Sequence, residues 1–183
     1  MEQEEQDALL EIAARIESLL RGEIARPGLV FAPLHQKASR ASAIIREPDE
    51  DELARIIFAA CVALGRVIAE YDLDENALIS LVDVSCAKGV APALASIRKP
   101  DRSLVTRVEN LEELLSFEAV CPGTVPLYEH ARGAVTPALE VARASALAVG
   151  SLVHDHELPN VSDLVRQTHQ GVLAGRTARE KEA

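Results

Sequence analysis

Three histidines and one aspartate are the side chains of this sequence best suited to chemistry. His154, Asp155 and His156 follow one another directly, and His130 precedes His154 by 24 positions. Imidazole nitrogens and carboxylate oxygens are common ligands of divalent metals. A metal held by such ligands lowers the pKa of a bound water and makes it a nucleophile near neutral pH. The four residues are therefore a candidate metal site, with a divalent metal as its cofactor.

The spacing of these residues resembles the HD-type metal phosphohydrolases, in which His and Asp side chains from adjacent helices hold a divalent metal. The resemblance covers about 30 residues and departs from the family pattern after Asp155, where HELP at 156–159 replaces a glycine-containing turn. A further ligand would have to be Asp163. The resemblance implies a metal-dependent phosphohydrolase. The alternative is a solvated polar loop at a helix C-terminus, where the helix dipole favours histidine.

The stretch 82–97, VDVSCAKGVAPALASI, is a second candidate site. It resembles the turn region of a helix-turn-helix, with small residues before a Gly-Val turn and a second short helix after it. In a DNA-binding unit of this kind the second helix enters the major groove. Only Ser96 and Arg98 carry side chains that could read base edges here. The alternative is an ordinary corner between alanine-rich helices.

Basic residues make up the third candidate site, because the segment 24–46 contains four of them and no acid. Together with the basic residues of 88–107, this segment predicts a local positive groove that binds a nucleic acid or an acidic protein segment. The alternative is pairing with the acidic helices of the same chain. The predicted anion-binding residues are Arg26, Lys37, Arg40, Arg46, Lys88, Arg98, Lys99, Arg102 and Arg107.

Recognised catalytic signatures do not occur in the sequence. It contains no GxSxG, no Walker-type Gly-Lys-Ser/Thr, no GxGxxG and no HExxH. Aromatic residues are only 3% of the chain and tryptophan is absent, which argues against a surface that binds bases or sugars by stacking. The sequence therefore gives enzyme activity no support, and it predicts no catalytic residue and no cofactor outside the metal alternative.

Apolar periodicity predicts the elements that position these candidates. The alanine-rich stretch 137–153 has only Glu140 and Arg143 as charged residues and is apolar on most of its circumference, which predicts a central core helix. Asp49 and Glu52 form a capping box ahead of a five-turn apolar stripe. The stretch 102–108 is predicted as a short strand, with a helix over 111–118. No internal repeat is recognised.

These elements predict a mainly α fold, a single-domain helical bundle over 1–183 with about seven helices around the alanine-rich helix. The segment 24–47 is predicted to be a long irregular connection and 175–183 a frayed, charged tail. The acidic N-terminus differs from the basic start of a signal peptide, and the three cysteines form no CxxC pair. A cytoplasmic location without membrane association is the expectation.

The predicted function is that of a non-catalytic, self-associating helical protein that binds or assembles, as a homo-oligomer with a local basic groove. Broad apolar stripes on two helices exceed what one partner helix would cover, which favours burial between subunits. The net charge of −10 argues against nonspecific DNA binding over the whole surface. The alternatives are a protein that binds nucleic acid, through 82–97 or by coating an RNA or DNA backbone, and the metal-dependent phosphohydrolase.

Overall fold

The computed structural model describes residues 2–28, 30–31, 46–123, 135–158 and 161–182, and this part of the chain is mainly α-helical without a strand. The mainly α prediction is therefore confirmed. No helix in the described ranges is both long and apolar enough to cross a membrane. The described residues form seven helices, which are α1 (Gln3–Ala25), α2 (Glu50–Glu70), α3 (Glu75–Lys88), α4 (Val90–Ala95), α5 (Leu104–Val120), α6 (Val135–Asp155) and α7 (Val161–Glu182).

The helices share one hydrophobic core, with α2 and α6 at its centre. Every residue of 144–150 on α6 is buried, as is every residue of 59–65 on α2. α6 packs against α1, α2, α3, α4 and α5, while α2 packs against α1, α5, α6 and α7. Alanine and glycine on both helices leave room for backbones to approach closely, which is why a chain with few aromatic residues can still build a dense core.

The structure differs from two of the predicted elements. The stretch predicted as a strand at 102–108 instead opens α5, because Leu104, Val108 and Leu111 recur at helical spacing and are all buried. The charged stretch at 175–182, predicted to fray, continues α7 through Glu182. The Arg179 guanidinium donates a 2.6 Å hydrogen bond to the Ala69 carbonyl and so ties this end to α2.

Two halves of the chain repeat the same helix order and the same packing. α1, α2 and α3 correspond to α5, α6 and α7. α1 packs on α2 as α5 packs on α6, and α2 packs on α7 as α6 packs on α3. The third helix of each half therefore lies against the second helix of the other half. This reciprocity is the pattern that a two-fold axis within one chain produces, and it indicates a structural repeat that the sequence analysis did not recognise.

Local details at corresponding positions support the repeat. Asp72 and Glu157, just after α2 and α6, both adopt positive φ, at 53° and 50°. The leucine after each of them donates its N–H to a carbonyl five residues earlier, at 2.9 Å for Leu73 and 3.0 Å for Leu158. The sequence Glu-x-x-x-Pro-Gly-x-Val also occurs twice, at 23–30 and at 118–125. The two halves thus share backbone turns that ordinary residues adopt rarely.

Candidate functional site

The predicted basic residues do not form a single groove among the described residues. Lys37 and Arg40 lie outside the described residues, so the structure does not place them. The Arg46 guanidinium makes two hydrogen bonds to the Glu52 carboxylate, at 2.7 and 2.8 Å. Arg107 contacts Asp101 at 3.2 Å and the buried Glu23 at 3.7 Å. Arg46 and Arg107 are therefore engaged within the chain, as the alternative of internal pairing expects.

Four of the predicted cations remain together in the fifteen-residue stretch 88–102, which we call the basic corner. Lys88 ends α3, and Arg98, Lys99 and Arg102 follow the short helix α4. All four side chains are exposed. None of the four forms an ion pair with any described residue. By contrast, ion pairs within the described part of the chain engage Arg15, Arg21, Arg66, Arg143, Arg166 and Arg176.

The basic corner also lies where the backbone disfavours positive charge. Arg102 immediately precedes Ser103, the N-cap of α5, and Lys99 lies three residues before Arg102; the first turn of α5 holds no acidic residue. Unpaired N–H groups give a helix N-terminus a partial positive charge, so cations there lose about 0.3–1 kcal/mol. The nearby Asp101 accepts hydrogen bonds from the Ser103 N–H at 3.1 Å and from Arg107 at 3.2 Å. Helix stability therefore does not explain why the cations are here.

The helix-turn-helix resemblance maps onto α3, a glycine turn and α4. Gly89 adopts φ of 90° between the two helices, as a sharp corner requires. α4 has only six residues, VAPALA, and none has a polar side chain. Ser96 follows the helix and donates its hydroxyl to the Ala93 carbonyl at 2.6 Å. Two side chains, Ser96 and Arg98, were predicted to read base edges. Of these two, only Arg98 makes no hydrogen bond to the described part of the chain.

The predicted metal ligands are not brought together in the described part of the structure. His130 lies outside the described residues. His154 and Asp155 are consecutive on the last turn of α6, so their side chains point in different directions. The His154 ring lies against Gly89, where an added Cβ would be 3.3 Å from the ring, whereas Asp155 accepts a 3.4 Å hydrogen bond from Ser151. Among the described residues there is no cluster of three or more metal-ligating side chains.

Two buried glutamates, which the sequence analysis did not single out, occupy corresponding positions near the ends of α1 and α5. Glu23 is fully buried and accepts backbone hydrogen bonds from Gly28, Val30 and Phe31 at 2.5, 3.0 and 2.8 Å. Glu118 is 2% exposed and accepts one from Gly123 at 2.8 Å. Each carboxylate thus fixes the Pro-Gly turn that follows its helix. The twice-repeated Glu-x-x-x-Pro-Gly-x-Val sequence was the signal available for finding them.

Each buried glutamate also faces an arginine of the other half. Arg107 on α5 lies 3.7 Å from Glu23, and Arg15 on α1 lies 3.3 Å from Glu118. Residues 15 and 23 of α1 therefore approach residues 118 and 107 of α5 in reverse order, so the two helices run antiparallel. As a result, the start of α1 and the start of α5 lie at opposite ends of this pair.

An acidic groove opens at the start of α1, between that helix and α2. Its volume is about 720 Å³, and Leu9, Ala54 and Phe58 give it an apolar surface. Charged side chains line the same groove, and three of the four are carboxylates. Further exposed acids lie close by in the chain, at Glu2, Asp7 and Glu50. The lining residues are Glu4, Glu5, Ala8, Leu9, Asp51, Ala54, Arg55 and Phe58.

The pairing of Arg46 with Glu52 gives a testable pKa. Two hydrogen bonds from Arg46, and the Asp49 N–H that Glu52 accepts in its capping box, lower the pKa of Glu52 to about 2. Since this value lies below the ordinary glutamate pKa of about 4.3, the pair stabilises the fold above that pH, and its contribution is lost as the pH falls toward 2.

We expect Arg46→Gln to raise the Glu52 pKa toward its ordinary range, measured by NMR titration of the side-chain carboxyl carbon. Arg55→Gln is the matched control, because Arg55 is exposed on α2, the helix that carries Glu52, and forms no ion pair with a described residue. An unchanged Glu52 pKa in Arg46→Gln would contradict the assignment of the shift to Arg46.

Comparison with known proteins adds no further guide to function. No protein-family model, no curated protein and no solved structure matches the chain.

Proposed function

We propose that this chain is a non-catalytic, self-associating helical binding protein whose basic corner takes an anionic partner. The observation that carries the proposal is the state of Lys88, Arg98, Lys99 and Arg102. They are exposed and lie within fifteen residues of one another along the chain, and they make no ion pair with any described residue. Most other arginines in the described ranges are already paired. A set of cations without internal partners attracts an external anion and speeds its association.

The position of the corner supports binding over a structural role. Lys99 and Arg102 lie at the positive end of the α5 dipole, so an anion that binds there is favoured both by the side chains and by the helix N-terminus. Val105, on the first turn of α5, is 47% exposed and adds an apolar contact beside the cations. This combination suits an acidic protein segment that also carries apolar side chains.

The test is binding of a fluorescein-labelled oligoglutamate peptide to the purified protein, followed by fluorescence anisotropy. We expect Lys99→Gln/Arg102→Gln to weaken binding at least tenfold at low salt. The matched control is Arg176→Gln/Lys181→Gln, which removes two exposed positive charges elsewhere and should bind as the wild type does. Equal affinity for all three proteins, or no binding by the wild type, would overturn the assignment to the basic corner.

A second candidate, nucleic-acid backbone binding, rests on the same four cations. If they contact four phosphates of a single strand, affinity should fall about 50-fold between 50 and 200 mM salt. A single-stranded oligonucleotide with the same number of negative charges as the peptide distinguishes the two candidates. Much tighter binding of the oligonucleotide, or a high 260 nm absorbance that copurifies with the protein, would favour nucleic acid. Weaker binding would favour the acidic protein segment.

A further inference from the structure

The two halves carry opposite charge at corresponding positions. When Glu23 is aligned with Glu118, Leu10 falls opposite Val105, Glu4 opposite Lys99 and Asp7 opposite Arg102. Leu10 and Val105 are both exposed, at 39% and 47%. Leu10, the eighth residue of α1, and Val105, the second residue of α5, therefore lie the same number of residues before the two buried glutamates, with acids preceding one and cations preceding the other.

These two surfaces cannot neutralise each other within one molecule. α1 and α5 run antiparallel, as the Arg15–Glu118 and Arg107–Glu23 contacts show. Glu4 lies about 28 Å along the α1 axis from Glu23, at 1.5 Å per residue, and Glu23 lies beside Arg107 near the start of α5. Salt screens exposed charges beyond about 8 Å at physiological ionic strength. The acidic groove and the basic corner thus lie too far apart for their charges to pair within one molecule.

We propose that the anionic partner of the basic corner is the acidic groove of a second copy of this chain, so that copies join head to tail. The inference rests on the proposed function and names its partner. Glu4, Glu5 and Asp51 of one copy face Arg98, Lys99 and Arg102 of the next. Val105 enters the apolar surface formed by Leu9, Ala54 and Phe58. Contact between two acidic grooves, or between two basic corners, is opposed by like charges, which selects the head-to-tail arrangement.

A head-to-tail contact leaves one groove and one corner unoccupied at the ends of any open assembly. Such heterologous contacts close into rings when the rotation between neighbours permits and otherwise continue as chains. We therefore expect the average mass of the wild type to rise with concentration at low salt, and to fall toward that of one chain as salt is raised.

The experiment is sedimentation velocity on two charge-reversed proteins, Glu4→Lys/Glu5→Lys and Arg98→Glu/Lys99→Glu/Arg102→Glu, alone and mixed in equal amounts. In each variant alone, groove and corner carry the same sign, so we expect a monomer under conditions in which the wild type associates. In the mixture, the groove of one variant matches the corner of the other, so association should return. Recovery on mixing also excludes misfolding as the cause of the individual losses.

Matched controls reverse exposed charges away from both surfaces: Arg176→Glu/Lys181→Glu and Glu180→Lys/Glu182→Lys should associate as the wild type does. Wild-type association that both test variants retain would overturn the head-to-tail inference but not self-association itself. A wild type that stays monomeric at low salt while its basic corner still binds oligoglutamate would overturn the inference and leave the binding role standing. Loss of both behaviours would end both proposals.

Discussion

Replacing Glu23 with glutamine is expected to destabilise the fold by about 3 kcal/mol. Both carboxylate oxygens of this fully buried side chain accept backbone hydrogen bonds, Oε1 from Gly28 and Oε2 from Val30 and Phe31. A glutamine must turn its NH₂ group toward one of these sites, where donor would face donor. The substitution also removes the charge opposite Arg107. Urea unfolding followed by circular dichroism measures the loss.

The corresponding change Glu118→Gln is the control and should cost only about 1 kcal/mol. Oε1 of Glu118 accepts from Gly123 and lies near Arg15, while Oε2 is buried and has no hydrogen-bond partner among the described residues. Glutamine can keep its oxygen at the Oε1 position and place its NH₂ at the Oε2 position, where no described residue donates. Both variants lose one negative charge opposite an arginine. Equal losses of stability would show that charge, rather than donor geometry, sets the role of the buried glutamates.

Helix positions were largely predictable because they follow from local patterns. The capping box at Asp49 is confirmed, with the Glu52 N–H donating to the Asp49 carboxylate at 2.8 Å and the Asp49 N–H to the Glu52 carboxylate at 3.1 Å. The prediction of a strand at 102–108, where α5 begins, was wrong. A short stretch such as RSLVTRV fits both the strand pattern and the helix pattern, and only tertiary packing decides between them. Local sequence signals thus predict the existence of an element more reliably than they predict its first residue.

The candidate site was less predictable because pairing depends on the tertiary structure. Arg46 and Arg107 look no different in sequence from Arg98 and Arg102, yet the first two have carboxylate partners and the last two have none among the described residues. The repeat was missed for a related reason. Core positions of the two halves exchange one apolar residue for another, so identity persists mainly where the backbone demands it, as at Gly28 and Gly123.

The close crossing of α2 and α7 gives the second large prediction, in which Gly65→Ala destabilises the fold by about 3 kcal/mol. At an open helix position the same change stabilises the fold by about 0.5–1 kcal/mol. The sign of the change in stability therefore shows whether Gly65 lies at a close helix crossing. A Cβ at Gly65 would collide with the α7 backbone, 2.6 Å from the Val172 nitrogen. Backbone cannot turn aside as a side chain can, so the two helices would have to separate.

Gly175→Ala, on the same interface, should cost less, about 1–2 kcal/mol, because the atom nearest to its added Cβ is the Ala69 methyl group at 2.8 Å, and a smaller separation near the end of α2 relieves this contact. Thermal unfolding of both variants checks the contrast, and equal melting temperatures would contradict it.

The corresponding crossing of α6 and α3 offers a rescue experiment that tests the close contact between these two helices. Gly150 is the counterpart of Gly65, but the atoms nearest to its missing Cβ belong to the Ser85 side chain, whereas Gly65 faces the Gly171 backbone. Gly150→Ala should therefore destabilise the fold, and adding Ser85→Gly should recover part of the loss. Recovery stays partial because the Cys86 nitrogen lies 2.9 Å from the added Cβ. Adding Ser85→Gly to Gly65→Ala should recover nothing, because Ser85 lies at the other crossing.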